Sequence, residues 1–302
     1  MVFPGQGSQA AGMLAGYAGL PGIASVRDQA AQVLGADFVR LLDEGPAEVL
    51  GLTVNTQPAM VTAGYAAYLA WRELGGALPD VVAGHSLGEY TALVAAGALA
   101  FEDCLPLVRF RAQAMQDAVP EGQGAMAAIL SLDDDNVIAA CKEADGEVQA
   151  VNFNAPGQVV IAGEKQAVSR AIERCKARGA KRAMPLPVSA PFHSTLMRPA
   201  AQKLGGYLDK LAFASPALPV INNVDVAALD EPAKIKDALV RQAASPVRWV
   251  ETILRMRDMG VTRIIECGPG KVLAGLTKRI CPEIASLALA DRRSLEEALK
   301  AP

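Results

Sequence analysis

Histidine is nearly absent from this chain of 302 residues: it occurs only at positions 85 and 193. Any imidazole chemistry must therefore come from one of those two. Cysteine occurs at 104, 141, 175, 267 and 281, an odd and scattered set without a Cys-x-x-Cys pair. Neither a zinc site nor a disulfide framework is suggested, and a reducing cytoplasm fits. Excess positive charge is lacking too. The net charge is −3, so there is no broad basic field and little case for nucleic-acid binding. No stretch of membrane-spanning length escapes charge or Gly/Pro punctuation, and no signal peptide precedes the first folded-looking segment. No internal repeat or low-complexity tract is present. Only Met1 to Phe3 precede the first turn, so the first strand reads as very short and a few native residues are expected to be missing. What is plentiful is apolar sequence: 51% of residues are hydrophobic. That is enough for a large core, as one big domain or two unequal ones.

The most informative stretch runs from Val81 to Tyr90. A short apolar run enters Gly84-His85-Ser86-Leu87-Gly88, and an alanine-rich helical run leaves it. This Gly-x-Ser-x-Gly pattern predicts a strand, a sharp turn and a helix, with serine at the apex. The flanking glycines remove Cβ clashes where strand and helix come close. The serine hydroxyl then lies near a helix N-terminus, where unpaired N–H groups can hold an oxyanion. Serine needs a base to take its proton. His85 adjoins Ser86 inside the turn, so its ring is expected to point away from the hydroxyl. That leaves His193 as the base, if the base is a histidine. No aspartate announces itself as a partner, so a Ser-His pair oriented by an amide or a backbone carbonyl is the more economical reading.

Other segments are less specific. Pro4-Gly5-Gln6-Gly7-Ser8-Gln9-Ala10 matches the loose dinucleotide pattern Gly-x-Gly-x-x-Ala. The acid at the required distance, Asp28, falls in a helical-looking stretch running to Leu42. The loop therefore reads as a βα turn, or as a backbone N–H donor beside Ser86. Asn55 or Thr56 is expected to cap a helix reaching Trp71, with Pro58 in its first turn and Gln57 either a plain first-turn residue or facing a cleft. In the helix from about Phe101 to Val119, Arg109 and Arg111 sit at the two edges of an apolar stripe. Arg111 either snorkels to water or points into a cleft, where it would need an anionic partner such as a carboxylate. Residues 122 to about 190 read as a βαββαβ unit, the order of a ferredoxin-like insertion. Within it Asn152 and Asn154 are either structural or line a cleft. Helices over 195–213, 233–243 and 246–259 follow, with strands at 218–222, 262–266 and 285–289. Cys267-Gly268-Pro269-Gly270-Lys271 has the wrong glycine spacing for a phosphate loop and reads as a βα turn.

Taken together, six segments resemble the malonyl-CoA:acyl carrier protein transacylase family, in that family's order and over essentially the whole chain. They are Phe3 to Gln9, Asn55 to Pro58, Gly84 to Glu89, Asn152 to Gln158, Pro191 to Ser194 and Gly268 to Lys271. The resemblance implies an α/β fold: an α/β-hydrolase-like core with a parallel sheet (1–121 and 191–302) and an inserted ferredoxin-like subdomain (122–190). It implies Ser86 as the acylated nucleophile, His193 as its base, and the Gln6 and Leu87 amides as the oxyanion hole. Arg111 matches the arginine that pairs with the malonyl carboxylate, and Gln242 the glutamine that orients the histidine. At Ala243-Ala244-Ser245 the chain departs from the family's more usual Leu-Tyr-Asn. Phe192 stands where malonyl is preferred over α-branched units. Gln57 and Asn154 complete the expected substrate-binding set. Malonyl transfer to the phosphopantetheine thiol of holo acyl carrier protein follows, without metal or bound cofactor, by a cytoplasmic monomer. The acidic carrier would dock near Lys181 and Arg182, beside Lys176 and Arg178. A serine hydrolase or a malonyltransferase of a malonate decarboxylase system uses similar parts.

Overall fold

A computed structural model of the protein describes residues 1–188 and 190–301. Its strands, in chain order, are β1 (Val2–Phe3), β2 (Val82–Gly84), β3 (Gly124–Leu130), β4 (Val148–Ala155), β5 (Gln158–Glu164), β6 (Arg182–Pro185), β7 (Val220–Ile221), β8 (Arg263–Cys267) and β9 (Ala285–Leu289). They form two sheets. One is parallel, in the order β7-β2-β1-β8-β9, and the other antiparallel, in the order β4-β5-β3-β6. The fold is thus mixed α/β. Strands β1, β2 and β7 are buried throughout, which is why they read as unbroken apolar runs without alternation. The expected first-strand stub, although two residues long, lies at the centre of its sheet between β2 and β8.

The segment 122–190 follows the βαββαβ order, with helices Asp134–Lys142 and Lys165–Ala177 between its strands. It owns an apolar cluster that includes Ile129, Val137, Val159, Ile161 and Ile172. It is tied to the rest of the chain along β4: the Val247 N–H donates to the Val151 carbonyl at 2.8 Å and the Phe153 N–H to the Val247 carbonyl at 3.0 Å. Among the described residues no helix is long and apolar enough to cross a membrane, and all five cysteines are free and buried.

Several expected boundaries move. The helix through Trp71 is Thr53–Glu73, with Leu52 at its N-cap and no side-chain cap. Asn55 and Thr56 do not cap it; they donate backward to the carbonyls of Val49 and Leu50, at 2.9 and 2.6 Å. Pro58 consequently sits in the second turn. The long helix expected over 195–213 is a 3-10 turn, Thr195–Met197, followed by an α-helix that ends at Leu208. The helix expected from Pro246 starts at Trp249, because Val247 is engaged in pairing with β4. The helical stretch to Leu42 is broken at Gly35 into Pro21–Leu34 and Ala36–Glu44. Asp28 lies in the first of these, so no second Rossmann strand exists there.

Candidate active site

The parallel strands all direct their carboxyl ends to one edge, the edge where open α/β sheets bind ligands. The turn after β2 carries Ser86. Its backbone is left-handed, with φ of 52°, a conformation that costs a non-glycine residue roughly 1–3 kcal/mol. The glycines on either side are required by close approach. A Cβ on Gly84 would lie 1.8 Å from the Gly88 carbonyl carbon, and one on Gly88 would lie 2.0 Å from the Phe3 oxygen. The strained turn is held by hydrogen bonds. The Ser86 N–H donates to Asn223 Oδ1 at 2.7 Å, and the Ser86 carbonyl accepts from Gln242 Nε2 at 3.0 Å and from the Glu89 N–H at 3.1 Å.

Ser86 and His193 lie 107 residues apart in sequence, yet Ser86 Oγ is 2.6 Å from His193 Nε2. The other ring nitrogen, Nδ1, is 2.9 Å from the backbone carbonyl of Gln242. A carbonyl only accepts, so Nδ1 carries the proton and Nε2 is left as the acceptor for the serine hydroxyl. His193 is also left-handed, with φ of 65°. It is 3% exposed. Burial, reinforced by the Arg111 charge, holds its pKa down to about 3, although the Gln242 carbonyl opposes the shift. The imidazole therefore waits neutral, as a base must. His85 points elsewhere. Its Nε2 meets Asn154 Oδ1 at 2.7 Å and its ring packs on Trp249 at 5.4 Å between centroids. Burial lowers its pKa as well.

Arg111 does not snorkel. It is 2% exposed, with Nη1 donating to Gln57 Oε1 at 2.9 Å and Nη2 to Gln242 Oε1 at 3.1 Å and Ser86 Oγ at 3.3 Å. Its guanidinium stands over the Tyr90 ring at 5.3 Å. Its Nε is buried without an acceptor. Among the described residues no carboxylate comes within ion-pair distance of it. A buried cation dressed by neutral amides, a hydroxyl and an aromatic ring is costly until an anion arrives, and burial lowers its pKa accordingly.

Among the described residues neither the Gln6 N–H nor the Leu87 N–H has a protein acceptor, whereas the Ser86 N–H is already used by Asn223. A cleft of about 160 Å³ is lined by Gln6, His85, Ser86, Arg111, Asn152 and His193, with an apolar wall of Met115, Met126, Leu186, Val188 and Phe192. Gln57, Asn154 and Gln242 sit one layer behind. Gln57 bridges Arg111 to Gln6 Oε1, at 2.9 Å to each. Two residues of the constellation escaped the sequence reading as site residues. Asn223 holds the Ser86 amide, and Glu89, 2% exposed, accepts from Gln242 Nε2 and the Asn223 N–H, both at 2.9 Å. Burial raises the Glu89 pKa to about 7 against those two hydrogen bonds and the Arg111 charge. The available signals were an acid opening an otherwise apolar helix, and paired asparagines directly after a parallel strand. A larger hollow of about 670 Å³, bordered by Leu208, Phe213, Lys236 and Val240, has no serine, cysteine or histidine in its lining.

Lys181 and Arg182 are both exposed, and among the described residues neither makes an ion pair. Their expected companions are engaged: Lys176 with Glu173 at 2.8 Å, and Arg178 with Glu143 at 2.5 Å.

Comparison with known proteins follows the same lines. Residues 1–291 match the family model described as acyl transferase domain. The malonyl CoA-acyl carrier protein transacylase of Escherichia coli K12 is 52% identical, over 99% of this chain and 98% of its own. A crystal structure of an acyl-carrier-protein S-malonyltransferase from Burkholderia pseudomallei 1710b superposes with a TM-score of 0.98 at 60% identity, covering 99% of this chain and 98% of that one. A malonyl-transacylase solved in complex with a type II PKS acyl-carrier protein superposes with a TM-score of 0.97 at 51% identity, covering 99% and 98%.

Proposed function

The chain belongs to the malonyl CoA-acyl carrier protein transacylases of the acyl transferase domain family, and from that premise we propose how its own residues carry the transfer. The enzyme is an [acyl-carrier-protein] S-malonyltransferase; its substrates are malonyl-CoA and acyl carrier protein. Fatty acid synthesis is the pathway we assign. The malonyl carboxylate seats on Arg111. His193 Nε2 takes the proton from Ser86 Oγ as that oxygen attacks the thioester carbonyl. Negative charge gathers on the carbonyl oxygen, which accepts from the Gln6 and Leu87 N–H groups, donors typically worth ~3–4 kcal/mol each. The intermediate collapses, and the CoA thiolate leaves with the proton held by His193. In the second half His193 takes the proton of the carrier's phosphopantetheine thiol. The sulfur attacks the malonyl-serine ester, and the Ser86 oxygen departs with that proton. Gln242 orients His193 through its backbone carbonyl, and Gln57 and Gln242 hold Arg111 open for the substrate. Asn154 acts at one remove, by fixing His85. The Phe192 ring crowds a 2-methyl group, a discrimination of ~1–3 kcal/mol.

The single observation that supports this reading is the buried Arg111 guanidinium within reach of the Ser86 hydroxyl and, among the described residues, free of carboxylate partners. A general esterase would place an apolar acyl pocket there. Incubation with labelled malonyl-CoA tests it: slow release to water with fast transfer to holo carrier protein is expected, and rapid malonate production without carrier would favour a hydrolase. We further assign residues 1–121 and 191–302 to an α/β-hydrolase-like core and 122–190 to a ferredoxin-like subdomain, supported by the βαββαβ order and the separate apolar cluster. The exposed Lys181 and Arg182, without an ion pair among the described residues, support carrier docking on that subdomain. The five free thiols favour a reducing, cytoplasmic setting, and we take the enzyme to act as a monomer.

A further inference from the structure

We propose that Glu89 is a positioning residue for this reaction: a single buried carboxyl oxygen ties the arm that holds Arg111 to the arm that holds Ser86. The inference rests on the reading of Arg111 as the malonyl clamp. Glu89 lies in the first turn of the helix Gly88–Ala95, every other residue of which but Thr91 is apolar, aromatic or glycine. A carboxylate in such a place is expensive unless paired, and a well-packed apolar side chain would serve folding better. Among the described residues no cation touches it. What touches it is the support of the site.

One arm runs through Gln242. Glu89 Oε2 accepts from Gln242 Nε2 at 2.9 Å, and the Ser86 carbonyl accepts from the same nitrogen at 3.0 Å. Both N–H bonds of the amide are thereby engaged by acceptors, so its Oε1 is turned to Arg111 Nη2 at 3.1 Å. The backbone carbonyl of the same residue orients His193. The other arm runs through Asn223. Its N–H donates to the same Glu89 Oε2 at 2.9 Å, its Oδ1 accepts from the Ser86 N–H at 2.7 Å, and its Nδ2 donates to the Gly84 carbonyl at 2.7 Å. The strained serine turn and the guanidinium are thus referenced to one atom. The arrangement works with the carboxyl ionised or protonated, because a proton on Oε1 leaves Oε2 an acceptor. Without that oxygen two buried donors lose their partner. Gln242 and Asn223 must then shift, the first away from Arg111 and the second away from Ser86.

The test is formation of the acyl-Ser86 enzyme from malonyl-CoA and from acetyl-CoA, in single turnovers, for Glu89→Gln, Glu89→Asp and Glu89→Met. Glutamine can keep an oxygen at the Oε2 position. Aspartate keeps the charge but withdraws it, and methionine removes the acceptor. Expected is a malonyl-to-acetyl rate ratio within about threefold of wild type for Glu89→Gln, and about tenfold or more lower for Glu89→Asp and Glu89→Met. A merely structural residue would lower both rates together. An unmoved ratio in Glu89→Asp, or a ratio in Glu89→Gln as low as in Glu89→Asp, overturns the proposal; if Glu89→Met does not fold, Glu89→Asp against Glu89→Gln decides. Arg111→Ala runs alongside. If it leaves the ratio unchanged, the clamp reading itself falls; if it moves the ratio while Glu89→Asp does not, only the role of Glu89 falls.

Discussion

The groups that touch the Ser86 hydroxyl, His193 and Arg111, come from chain segments packed around the parallel sheet, whereas the antiparallel sheet and the residues just after β6 face the same cleft with Met126, Asn152, Leu186 and Val188. The two regions are built for different tasks. Around the parallel sheet, Gln57, Glu89, Arg111, His193, Asn223 and Gln242 are buried and hydrogen-bonded to one another or to the serine turn, and both partners of the Ser86–His193 pair are in left-handed backbone. The antiparallel unit presents mostly apolar surface to the cleft and carries the exposed Lys181 and Arg182 on its solvent side. Pre-organisation for bond making requires the first kind of construction. Excluding water and receiving a partner require only the second.

If that contrast is right, substitutions should lose effect from the first region to the second. Ser86→Ala should abolish the malonyl-enzyme adduct seen by intact-mass measurement and lower transfer by about four orders of magnitude or more. An adduct persisting in that variant would move the nucleophile elsewhere. Arg111→Ala should lower the malonyl-to-acetyl ratio of acylation rates about ten- to a hundredfold, the scale of one buried charge-assisted interaction. Equal losses for both substrates would mean that the guanidinium only supports the fold.

The acid side of the pH profile sharpens the same point. An imidazole at its ordinary value would lose about 25-fold in neutral form between pH 7 and pH 5. With His193 held down to about 3, the acylation rate at low malonyl-CoA should stay nearly flat over that range; a fall with midpoint near 6.5 would mean that the ring is solvated. The linked stability has a definite sign. A depressed folded-state value contributes stability that is present above the unfolded value and is lost as pH falls from about 6.5 towards 3. Glu89 acts oppositely, since a raised carboxyl loses its contribution as pH rises through about 7. The smallest effect belongs to the antiparallel unit. Replacing Lys181 and Arg182 by alanine should raise KM for holo carrier protein about two- to fivefold at low salt, and less at high salt, with malonyl-CoA acylation unchanged. A change in acylation itself would break the separation between the two regions.

Legibility in the sequence followed the range of the interactions involved. The Ser86 turn could be read directly, because strand, glycines and helix are neighbours in the chain and the clash that excludes a Cβ at Gly84 and Gly88 is local. The βαββαβ unit could be read from the alternation of short apolar runs and helical stretches. The start of the helix at Thr53 could not: its expected caps bond backward to Val49 and Leu50, a choice set by how the preceding turn packs. Arg111 marks the limit from the other side. Helical periodicity places it at the edge of an apolar stripe, where snorkelling to water is the default reading until the resemblance gives it a partner.

By itself the sequence determined where a nucleophile could be made, that one histidine of two was available to serve it, and which family of acyl transfer the motifs resemble. Only the tertiary structure decided that His193 is steered by a backbone carbonyl, that Arg111 is buried among amides, and that Glu89 and Asn223 stand beneath the serine. The reason is physical. A carbonyl partner leaves no trace in residue identity, and contacts between segments more than a hundred residues apart exist only after the core has brought the strand ends together.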